Sequence, residues 1–464
     1  MGKKWEAMEA LFKPRALAVI GASDNPLKLG SHVMRSLMEG GYPGAIYPVN
    51  PGKEEILGIK AYASLREIQG PIDLGVIVLP AEQVPRIIQE CGEKGAKAIV
   101  LITAGFKEIE DRKGRELQEE IFRLAETYGI KIIGPNTFGV VNLHYPMYAS
   151  FTPEFSQVKK GKISFISQSG GMSHLLAFLA MKKNLGLSKI VGLGNRCNVD
   201  FWDMLEYLNE DPETQVVAMY LEGVDEPRKL VEVARSMDKR KPIVAYKVGI
   251  SSNSDRASQF HTGSLAGKYE IYLGAFRQAG ILSVQSSEEL LDTAKALCLS
   301  LLPKGNRVAV LSGQAGPGMA ACDVCEKEGL SIPLFSAETQ KRINTLLPPL
   351  AIRTNPVDMG PAWYDSKAIR GIVEAVLEDQ GIDAILLCMM YASANRPAVG
   401  MLAESLTQLE RRKPILCCIS APEGIWDEEI QKLEASGIPN FQTPERAAKA
   451  LANLTQYRMT YQRK

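Results

Sequence analysis

Three segments of the chain repeat one pattern of hydrophobic and polar residues. Each begins with a run of aliphatic and β-branched residues, continues into a tight turn of glycine and small polar residues, and ends in a stretch rich in small apolar residues. This order predicts a buried strand, a turn and a helix in each segment. The three segments are ALAVIGASDNP at 16–26, ISFISQSGGMSHLLAFLA at 163–180 and VAVLSGQAGPGMAACDVC at 308–325.

Further apolar runs of strand length follow each of these segments and alternate with helical patterns such as EPRKLVEVARSM at 226–237. Strands that alternate with helices are typical of parallel sheets covered on both faces, so we expect an α/β fold. In such sheets ligands bind beyond the carboxyl ends of the strands, in the turns that follow them. The predicted strands are LGVIVLP at 74–80, AIVLIT at 98–103, KIIG at 131–134, KIVGLG at 189–194, VVAMYLEG at 216–223, PIVAYKVG at 242–249, DAILLCMMY at 383–391 and PILCCIS at 414–420.

The spacing of the three turns predicts three doubly wound domains. From Gly21 to Gly170 is 149 positions and from Gly170 to Gly316 is 146, close to the common domain length of about 150 residues. Residues 142–162, which contain prolines, aromatic residues and lysines without helical periodicity, suit a linker, and LPKGNR at 302–307 ends a helix before a new strand. The predicted domains are 1–145, 157–300 and 303–464.

Composition narrows the class of protein. The chain has 464 residues, of which 45% are hydrophobic and 23% charged, with a formal net charge of +1. This composition is typical of globular domains, and the balanced charge gives no net attraction to nucleic acid or to an anionic membrane. No apolar run approaches the ~20 residues that span a bilayer, so the sequence predicts a cytoplasmic protein. The eight cysteines lack the spacing of a disulfide framework or a zinc site, so we expect reduced thiols and no metal site.

The first turn, GASDNPLKLG at 21–30, resembles a dinucleotide-binding fingerprint only in part. Ser23 and Pro26 stand where the second and third glycines of G-x-G-x-x-G belong, which disfavours a nicotinamide-dependent oxidoreductase. A helix start with Ser23 and Lys28 beside it can still hold a phosphate group. The alternative is a solvated turn with a capping side chain.

The turns SQSGG at 167–171 and GQAGPG at 313–318 are better candidates for binding an anion. Each places consecutive backbone amides at a strand-to-helix turn, and the glycines let an anion approach closely. Two such helix starts in neighbouring domains could converge on one phosphate. Taken singly, each turn is equally compatible with an ordinary tight connection between a strand and a helix.

His261 lies between two contrasting segments. Residues 249–260 contain four serines with few apolar residues, which is typical of a mobile loop, whereas HTGSLAG at 261–267 leads into a helical pattern. A histidine in this place can act as a nucleophile that carries a group between two sites. The alternative is a surface histidine that caps a helix. We apply that interpretation to the other three histidines, which are His32, His144 and His174.

Taken together, the motifs resemble those of one enzyme family. VIGASDNPLKLG, PVNP, LPAEQVP, ITAGFKE, GPNTFG, SQSGG, LGN with Asp200, YLEG, HTGSLAG, SGQAGPGMA and NPVD occur in this order in the NDP-forming acyl-CoA synthetases, a family related to succinyl-CoA synthetase. The likeness is strongest to alpha subunits of the ADP-forming acetyl-CoA type. It implies an N-terminal Rossmann-like CoA-binding domain followed by two flavodoxin-like domains of the succinyl-CoA synthetase type.

The resemblance also implies a reaction. Acyl-CoA and phosphate give an acyl phosphate and CoA, and the phosphoryl group then passes to a histidine and from there to ADP. The phosphorylated histidine of the family matches His261, and the acidic residue that steadies it matches Glu222. Its phosphate-binding helix starts match Ser169, Gly170 and Gly171 in one domain and Ala315 and Gly316 in another. Its CoA contacts match Gly21, Ser23, Lys28, Asn50, Pro80, Thr103 and Asn136.

The family also carries ATP-grasp domains, which no part of this chain resembles. The resemblance therefore implies an ATP-grasp beta subunit that binds ADP or ATP with magnesium, in a heterotetramer, and a small carboxylic acid as substrate. A non-catalytic CoA-binding regulatory protein on the same fold is the alternative. Such a protein would be expected to lack His261 or Glu222, and this chain has both.

Overall fold

The computed structural model describes residues 5–109, 111–237, 241–251, 253–254 and 269–461. His261 lies outside these ranges. The chain forms two compact units, Met1–Ser287 and Glu288–Lys464. Each unit is built on parallel sheets, as the alternation of strands and helices predicts.

The first sheet of the first unit has five parallel strands in the order β2-β1-β5-β6-β7. Strand β1, between β2 and β5, is buried along its whole length, and alternate residues face opposite sides. Leu17 and Val19 pack into one apolar cluster and Ala18 and Ile20 into another, so both faces of the sheet are covered. The strands are β1 (Ala16–Ile20), β2 (Ala45–Val49), β5 (Leu74–Ile77), β6 (Ala98–Leu101) and β7 (Lys131–Ile133), and a small antiparallel pair, β3 (Glu55–Ile56) and β4 (Ile59–Lys60), follows β2.

The second sheet of this unit has seven strands in the order β14-β13-β12-β10-β11-β8-β9. Five strands are parallel, whereas β8 pairs antiparallel with β11 and β9 pairs antiparallel with β8. The strands are β8 (Gly139–Asn142), β9 (Met147–Ser150), β10 (Lys160–Ser167), β11 (Leu187–Gly192), β12 (Val216–Leu221), β13 (Ile243–Lys247) and β14 (Ile281–Val284).

The second unit contains a four-stranded parallel sheet in the order β16-β15-β17-β18. Its strands are almost wholly buried and contribute to one apolar cluster with the helices that cover them. Asp292 and Arg446 join the first and last helices of this unit through bonds of 2.7 Å. The strands are β15 (Val308–Ser312), β16 (Val357–Asp358), β17 (Ala384–Met390) and β18 (Ile415–Ser420).

The helices begin where the sequence offers a capping side chain or a strand ends in a turn. Asp111, Ser169, Asp200 and Asp365 each accept a backbone N–H from the first turn of the helix that they precede. The helices are α1 (Glu6–Phe12), α2 (Leu29–Glu39), α3 (Val84–Glu93), α4 (Arg112–Tyr128), α5 (Gly170–Lys182), α6 (Phe201–Glu210), α7 (Pro227–Ser236), α8 (Tyr269–Ala279), α9 (Ser287–Leu299), α10 (Ala315–Lys327), α11 (Ala337–Leu346), α12 (Ser366–Glu378), α13 (Arg396–Thr407), α14 (Asp427–Ala435) and α15 (Pro444–Tyr461).

The predicted strands and the three strand-turn-helix segments are present, and the α/β fold is confirmed. Two observations bear on where the chain divides. Strand β9, inside the segment interpreted as a linker, belongs to the second sheet, and α9 lies in the second unit from Glu288 onward. The division of the chain into the domains 1–145, 157–300 and 303–464 remains a prediction.

Candidate active site

A cleft of about 900 Å³ lies in the first unit, where turns from both of its sheets meet. The carboxyl ends of β1, β2, β5, β6 and β7 share one edge of the first sheet, as they do in any parallel sheet, and the turns after them form one side of the cleft. The turns after β10 and β11 of the second sheet contribute the rest. The cleft is lined by all seven residues that the sequence predicts for CoA, namely Gly21, Ser23, Lys28, Asn50, Pro80, Thr103 and Asn136.

The turn between β1 and α2 brings the start of a helix close to the cleft. Gly21 has a φ of +92°, and a Cβ at this position would collide with the carbonyl oxygen of Val78. A Cβ at Gly30 would collide with the carbonyl oxygen of Gly21, so α2 begins in direct contact with the turn. Lys28 immediately precedes α2 and makes no side-chain capping bond. The first backbone N–H groups of α2 and the Lys28 ammonium group therefore offer positive charge at the cleft.

Hydrogen bonds tie the neighbouring loops to each other. Asn50 Nδ2 donates to the carbonyl of Ala22 at 2.8 Å, and Thr103 Oγ1 donates to the carbonyl of Leu79 at 2.7 Å. The backbone N–H of Asn136, which has a φ of +59°, donates to the carbonyl of Thr103 at 2.8 Å. These predicted CoA residues thus also hold the rim of the cleft in shape, because each links two loops that follow different strands.

The turn between β10 and α5 is held open by a pair of serines. Ser167 Oγ donates to the carbonyl of Ser169 at 2.8 Å and accepts its N–H at 3.2 Å, and Ser169 Oγ in turn caps α5 through the N–H of Met172. Among the described residues, and apart from the adjoining residues of the turn and helix, no atom lies within 4 Å of the place that a Cβ on Gly170 would occupy. Gly170 and Gly171 both line the cleft. The glycines leave room for an anion at the start of a helix, where it is most stable.

The second unit repeats this local structure after β15. Ser312 Oγ donates to the carbonyl of Gln314 at 2.5 Å and accepts its N–H at 3.4 Å. Helix α10 begins at Ala315, and the space around a Cβ on Gly316 is likewise empty to 4 Å. Gln314 makes no capping bond, because its side chain pairs with the backbone of Met390 instead. The start of α10 therefore keeps its backbone amides for a ligand.

Glu222 lies at the same sheet edge as the Ser169 turn. It follows β12, is 7% exposed, and its backbone N–H donates to Oε1 of Gln168 at 2.9 Å. The same oxygen accepts the N–H of Gly223 at 3.1 Å, and Gln168 lines the cleft. Burial raises the pKa of Tyr220, and the Glu222 carboxylate raises it further. The pairing of Glu222 with His261 stays a prediction, because His261 is outside the described residues.

A charged network around the buried Arg196 and Asp200 supports the loop after β11. Arg196, with a φ of +58°, binds Asp200 at 2.9 Å and Asp225 at 3.0 Å, and Lys107 lies 3.9 Å from Asp225. Burial lowers the pKa of Lys107, although Asp225 opposes this shift. Burial also raises the pKa of Asp200, although Arg196 opposes it. The network joins the loops after β6, β11 and β12 on the cleft side of both sheets.

Comparisons with known proteins agree with this architecture. A CoA-binding domain model matches residues 15–142, and a model of the succinyl-CoA ligase-like flavodoxin domain matches residues 160–297. The alpha subunit of ADP-forming acetate–CoA ligase II from Pyrococcus furiosus is 38% identical over 461 residues, which cover 97% of each chain. The chain belongs to the ADP-forming acetate–CoA ligase family.

Other members of the ADP-forming acetate–CoA ligase family show how this chain compares in length. Acetate–CoA ligase I from Archaeoglobus fulgidus is 39% identical, and the match covers 97% of this chain but 64% of that longer relative. A solved structure of dinucleotide-forming acetyl-coenzyme A synthetase 1 from Candidatus Korarchaeum cryptofilum, in complex with phosphate and ADP, is 33% identical with a TM-score of 0.90. That match covers 98% of this chain and 97% of the other.

Membership of the ADP-forming acetate–CoA ligase family confirms the resemblance drawn from the motifs, including the class of enzyme as a ligase and the CoA-binding and flavodoxin-like domains. In the part of the chain that the structure describes, no helix has the length and apolar character to cross a bilayer. Within the same residues, no three His, Cys, Asp or Glu side chains form a group suited to a metal ion.

Gln168, Asn195 and His174 are among the cleft residues that the sequence analysis did not single out. Gln168 directly follows β10 and Asn195 lies three residues after β11, so both could have been found by taking the polar residues that follow each strand. Asn195 Nδ2 is fixed by Glu108 at 2.5 Å. His174 was interpreted as an ordinary helix-surface residue. That interpretation is wrong, because its ring lines the cleft and both its nitrogens are hydrogen-bonded within the protein.

Proposed function

We propose that this chain is the CoA- and phosphate-binding subunit of an ADP-forming acyl-CoA ligase. The observation that carries the proposal is the shared cleft: the predicted CoA residues of the first sheet and the glycine turn at Gly170 line the same cavity. This arrangement brings a thioester and a phosphate together. The overall reaction interconverts acyl-CoA, phosphate and ADP with a carboxylic acid, CoA and ATP.

CoA binds with its phosphates beside the start of α2. Lys28 and the first amides of that helix supply positive charge there, and the Asn50 and Thr103 loops border the rest of the cofactor. The pantetheine arm then extends toward the turn after β10, because the cleft continues in that direction to Gly170 and Gly171. The thioester lies at that end.

Phosphate binds at the start of α5, where Gly170 and Gly171 leave open space. A phosphate oxygen attacks the thioester carbon, the C–S bond breaks, and CoA leaves as the thiol after taking up a proton. The product is an acyl phosphate. The helix start stabilises the anionic oxygens throughout, so positioning and electrostatics supply most of the catalysis.

His261 then accepts the phosphoryl group, and the carboxylic acid leaves as its carboxylate. Glu222 steadies the imidazole by binding its other nitrogen, as a carboxylate does in other carboxylate–histidine pairs. The phosphohistidine next transfers the group to ADP on an ATP-grasp beta subunit, which holds magnesium, in a heterotetramer. The turn at Ala315 and Gly316 is the second phosphate-binding turn, since Ser312 makes the same pair of hydrogen bonds there that Ser167 makes in the first turn.

The test is to give the purified chain acetyl-CoA and inorganic phosphate, and to measure free thiol with a thiol reagent and acyl phosphate by ³¹P NMR. We expect both products in equal amounts, and no ATP from ADP until an ATP-grasp partner is added. CoA binding without any release of thiol would instead support a non-catalytic CoA-binding protein. ATP formation by the chain alone would contradict the assignment of nucleotide to a partner.

Lys28 and Lys53 provide a test variant and a matched control for the CoA site. Lys28→Ala should weaken CoA binding by about tenfold, because a charge-assisted contact to phosphate is lost at an exposed position. Lys53→Ala should leave the affinity unchanged, since Lys53 pairs with Asp24 at 2.9 Å and does not line the cleft. Isothermal calorimetry with CoA measures both. Equal losses in the two variants would mean that general surface charge, and not the Lys28 position, holds CoA.

A further inference from the structure

The residues that follow β12 form a short segment whose backbone is held by side chains from two other elements. We call residues 222–225 the Glu222 segment. Gln168 Oε1, in the turn after β10, accepts the first two N–H groups of the segment at 2.9 and 3.1 Å. The third N–H, that of Val224, donates to the hydroxyl oxygen of Tyr272 on α8 at 3.0 Å. The path of the segment is therefore set jointly by the β10 turn and by α8.

The bond between Val224 and Tyr272 is shielded from water. Val224 is 3% exposed and Tyr272 is 5% exposed. A buried backbone N–H that loses its acceptor costs about as much free energy as a lost hydrogen bond. Without the hydroxyl, the segment would have to shift until this N–H met another acceptor. Glu222 lies two residues away on the same short segment, so its carboxylate would shift as well.

The Tyr272 ring is itself fixed in place. Its centroid lies 5.9 Å from that of Phe276 in an edge-on contact, and the ammonium nitrogen of Lys247 lies 4.7 Å from it. Lys247 is the last residue of β13, is fully buried and pairs in register with Leu221, the residue before Glu222. A cation over an aromatic ring is attracted to it. The hydroxyl of Tyr272 therefore meets the Glu222 segment at a defined position.

The place of Tyr272 in the chain links it to the proposed phosphoryl transfer. Helix α8 begins at Tyr269, eight residues after His261 in the sequence. The bond from Val224 to Tyr272 therefore ties the segment of Glu222 to the helix that follows the HTGSLAG motif. Tyr272 does not line the cleft, whereas Gln168 does. A change at Tyr272 can thus move the Glu222 segment without altering the lining of the CoA and phosphate site.

We propose that Tyr272 is a positioning residue for phosphoryl transfer, whose hydroxyl holds the Glu222 segment so that the Glu222 carboxylate meets the imidazole of His261. The proposal rests on the proposed function and adds a residue to its second step. Tyr272 acts through Glu222. Its loss should therefore affect the step in which Glu222 acts and spare the formation of acyl phosphate.

The test is Tyr272→Phe in the full chain, which removes the hydroxyl and keeps the ring. Two rates are measured: initial thiol release from acetyl-CoA and phosphate, and single-turnover incorporation of acid-labile ³²P from labelled acetyl phosphate. We expect unchanged thiol release and incorporation slower by about tenfold or more, because a small displacement of a catalytic group has a large effect on rate. Tyr148→Phe is the matched control. Tyr148 is 7% exposed, lies on β9 and makes none of the bonds that hold the Glu222 segment, so both rates should stay the same.

A double variant separates positioning from general support of the fold. In a Glu222→Gln protein, adding Tyr272→Phe should slow ³²P incorporation by no more than about twofold further, because residues that act through one another are not additive. Losses that multiply in the double variant would overturn the inference. So would unchanged incorporation in Tyr272→Phe, or a fall in thiol release that matches the fall in incorporation. Absence of ³²P incorporation in the unmodified protein would instead count against the proposed function itself.

Discussion

Through one side-chain oxygen, Gln168 connects the turn before Gly170 with the residues that follow β12. Its Oε1 accepts the N–H groups of Glu222 and Gly223, while its own backbone N–H donates to the carbonyl of Tyr220. These bonds hold the residues after β12 against the turn that leads to Gly170. The carboxylate proposed to steady His261 is therefore positioned by the same residue that precedes the phosphate turn.

Glu222→Gln tests the role of that carboxylate. The amide keeps the size of the side chain but loses its charge, so phosphoryl transfer to His261 should slow by about 10²-fold or more, as in other carboxylate–histidine pairs. CoA binding should not change, because Glu222 does not line the cleft. The measurement is the single-turnover rate of acid-labile ³²P incorporation from labelled acyl phosphate. Glu226→Gln, at an exposed position four residues later, is the control, and equal rates in the two variants would remove Glu222 from the mechanism.

At the scale of elements, the turns that begin α2 and α5 use glycine for different reasons. Gly30 is needed because its helix starts in contact with the carbonyl of Gly21, whereas Gly170 borders empty space. One glycine permits close packing within the protein, and the other permits close approach of a ligand. The turns before α5 and α10, held by Ser167 and Ser312, use glycine in the second way, since Gly170 and Gly316 have no close neighbours among the described residues.

Alanine substitutions at Gly30 and Gly170 test these two roles of glycine, close packing and ligand approach, separately. Gly30→Ala should lower the free energy of unfolding by about 1–3 kcal/mol, because the new methyl group meets backbone atoms that cannot move away. Gly170→Ala should change this free energy by no more than about 0.5 kcal/mol. Its acyl phosphate formation should nevertheless slow by about tenfold or more, because the methyl group displaces the phosphate. Urea denaturation and the thiol-release assay provide the two readouts. A stable, fully active Gly170→Ala protein would show that phosphate binds elsewhere.

At the scale of the whole molecule, all the described residues that line the cleft belong to the first unit. The antiparallel pair β8 and β9 carries the chain from the first sheet into the second, with β8 beside β11. The turns that face the CoA residues come from β10 and β11. CoA binding should therefore depend on both sheets of this unit, and not on the first sheet alone.

Two fragments test this dependence. Residues 1–287 should bind CoA with nearly the affinity of the full chain, because the lining residues that the structure describes all lie before position 196. Residues 1–155 should bind at least about tenfold more weakly. They lack the turns after β10 and β11, and they leave β8 paired with β9 but without β11. Calorimetry and circular dichroism report binding and folding. Full affinity in a folded 1–155 fragment would show that the first sheet alone forms the CoA site.

The sequence by itself determined the parts of the protein that depend on local pattern. Apolar runs such as 74–80 and 98–103 predicted buried strands, and the same pattern predicted the turns at Gly21 and Gly170, which line the cleft. Chain order and motifs also identified the family and the seven residues that line one side of the cleft. These features are readable because a strand, its turn and its helix are contiguous.

Only the tertiary structure decided which distant segments meet. Residues 139–150 have no helical period, and they became strands because the free edge of β11 pairs with β8. His174 looked like an ordinary helix residue until Thr152 and four phenylalanine rings were placed around it. The Arg196 network likewise joins loops that are far apart in the chain. Strand pairing, side-chain burial and charge compensation depend on contacts between distant segments, so they cannot be predicted from the pattern of one segment alone.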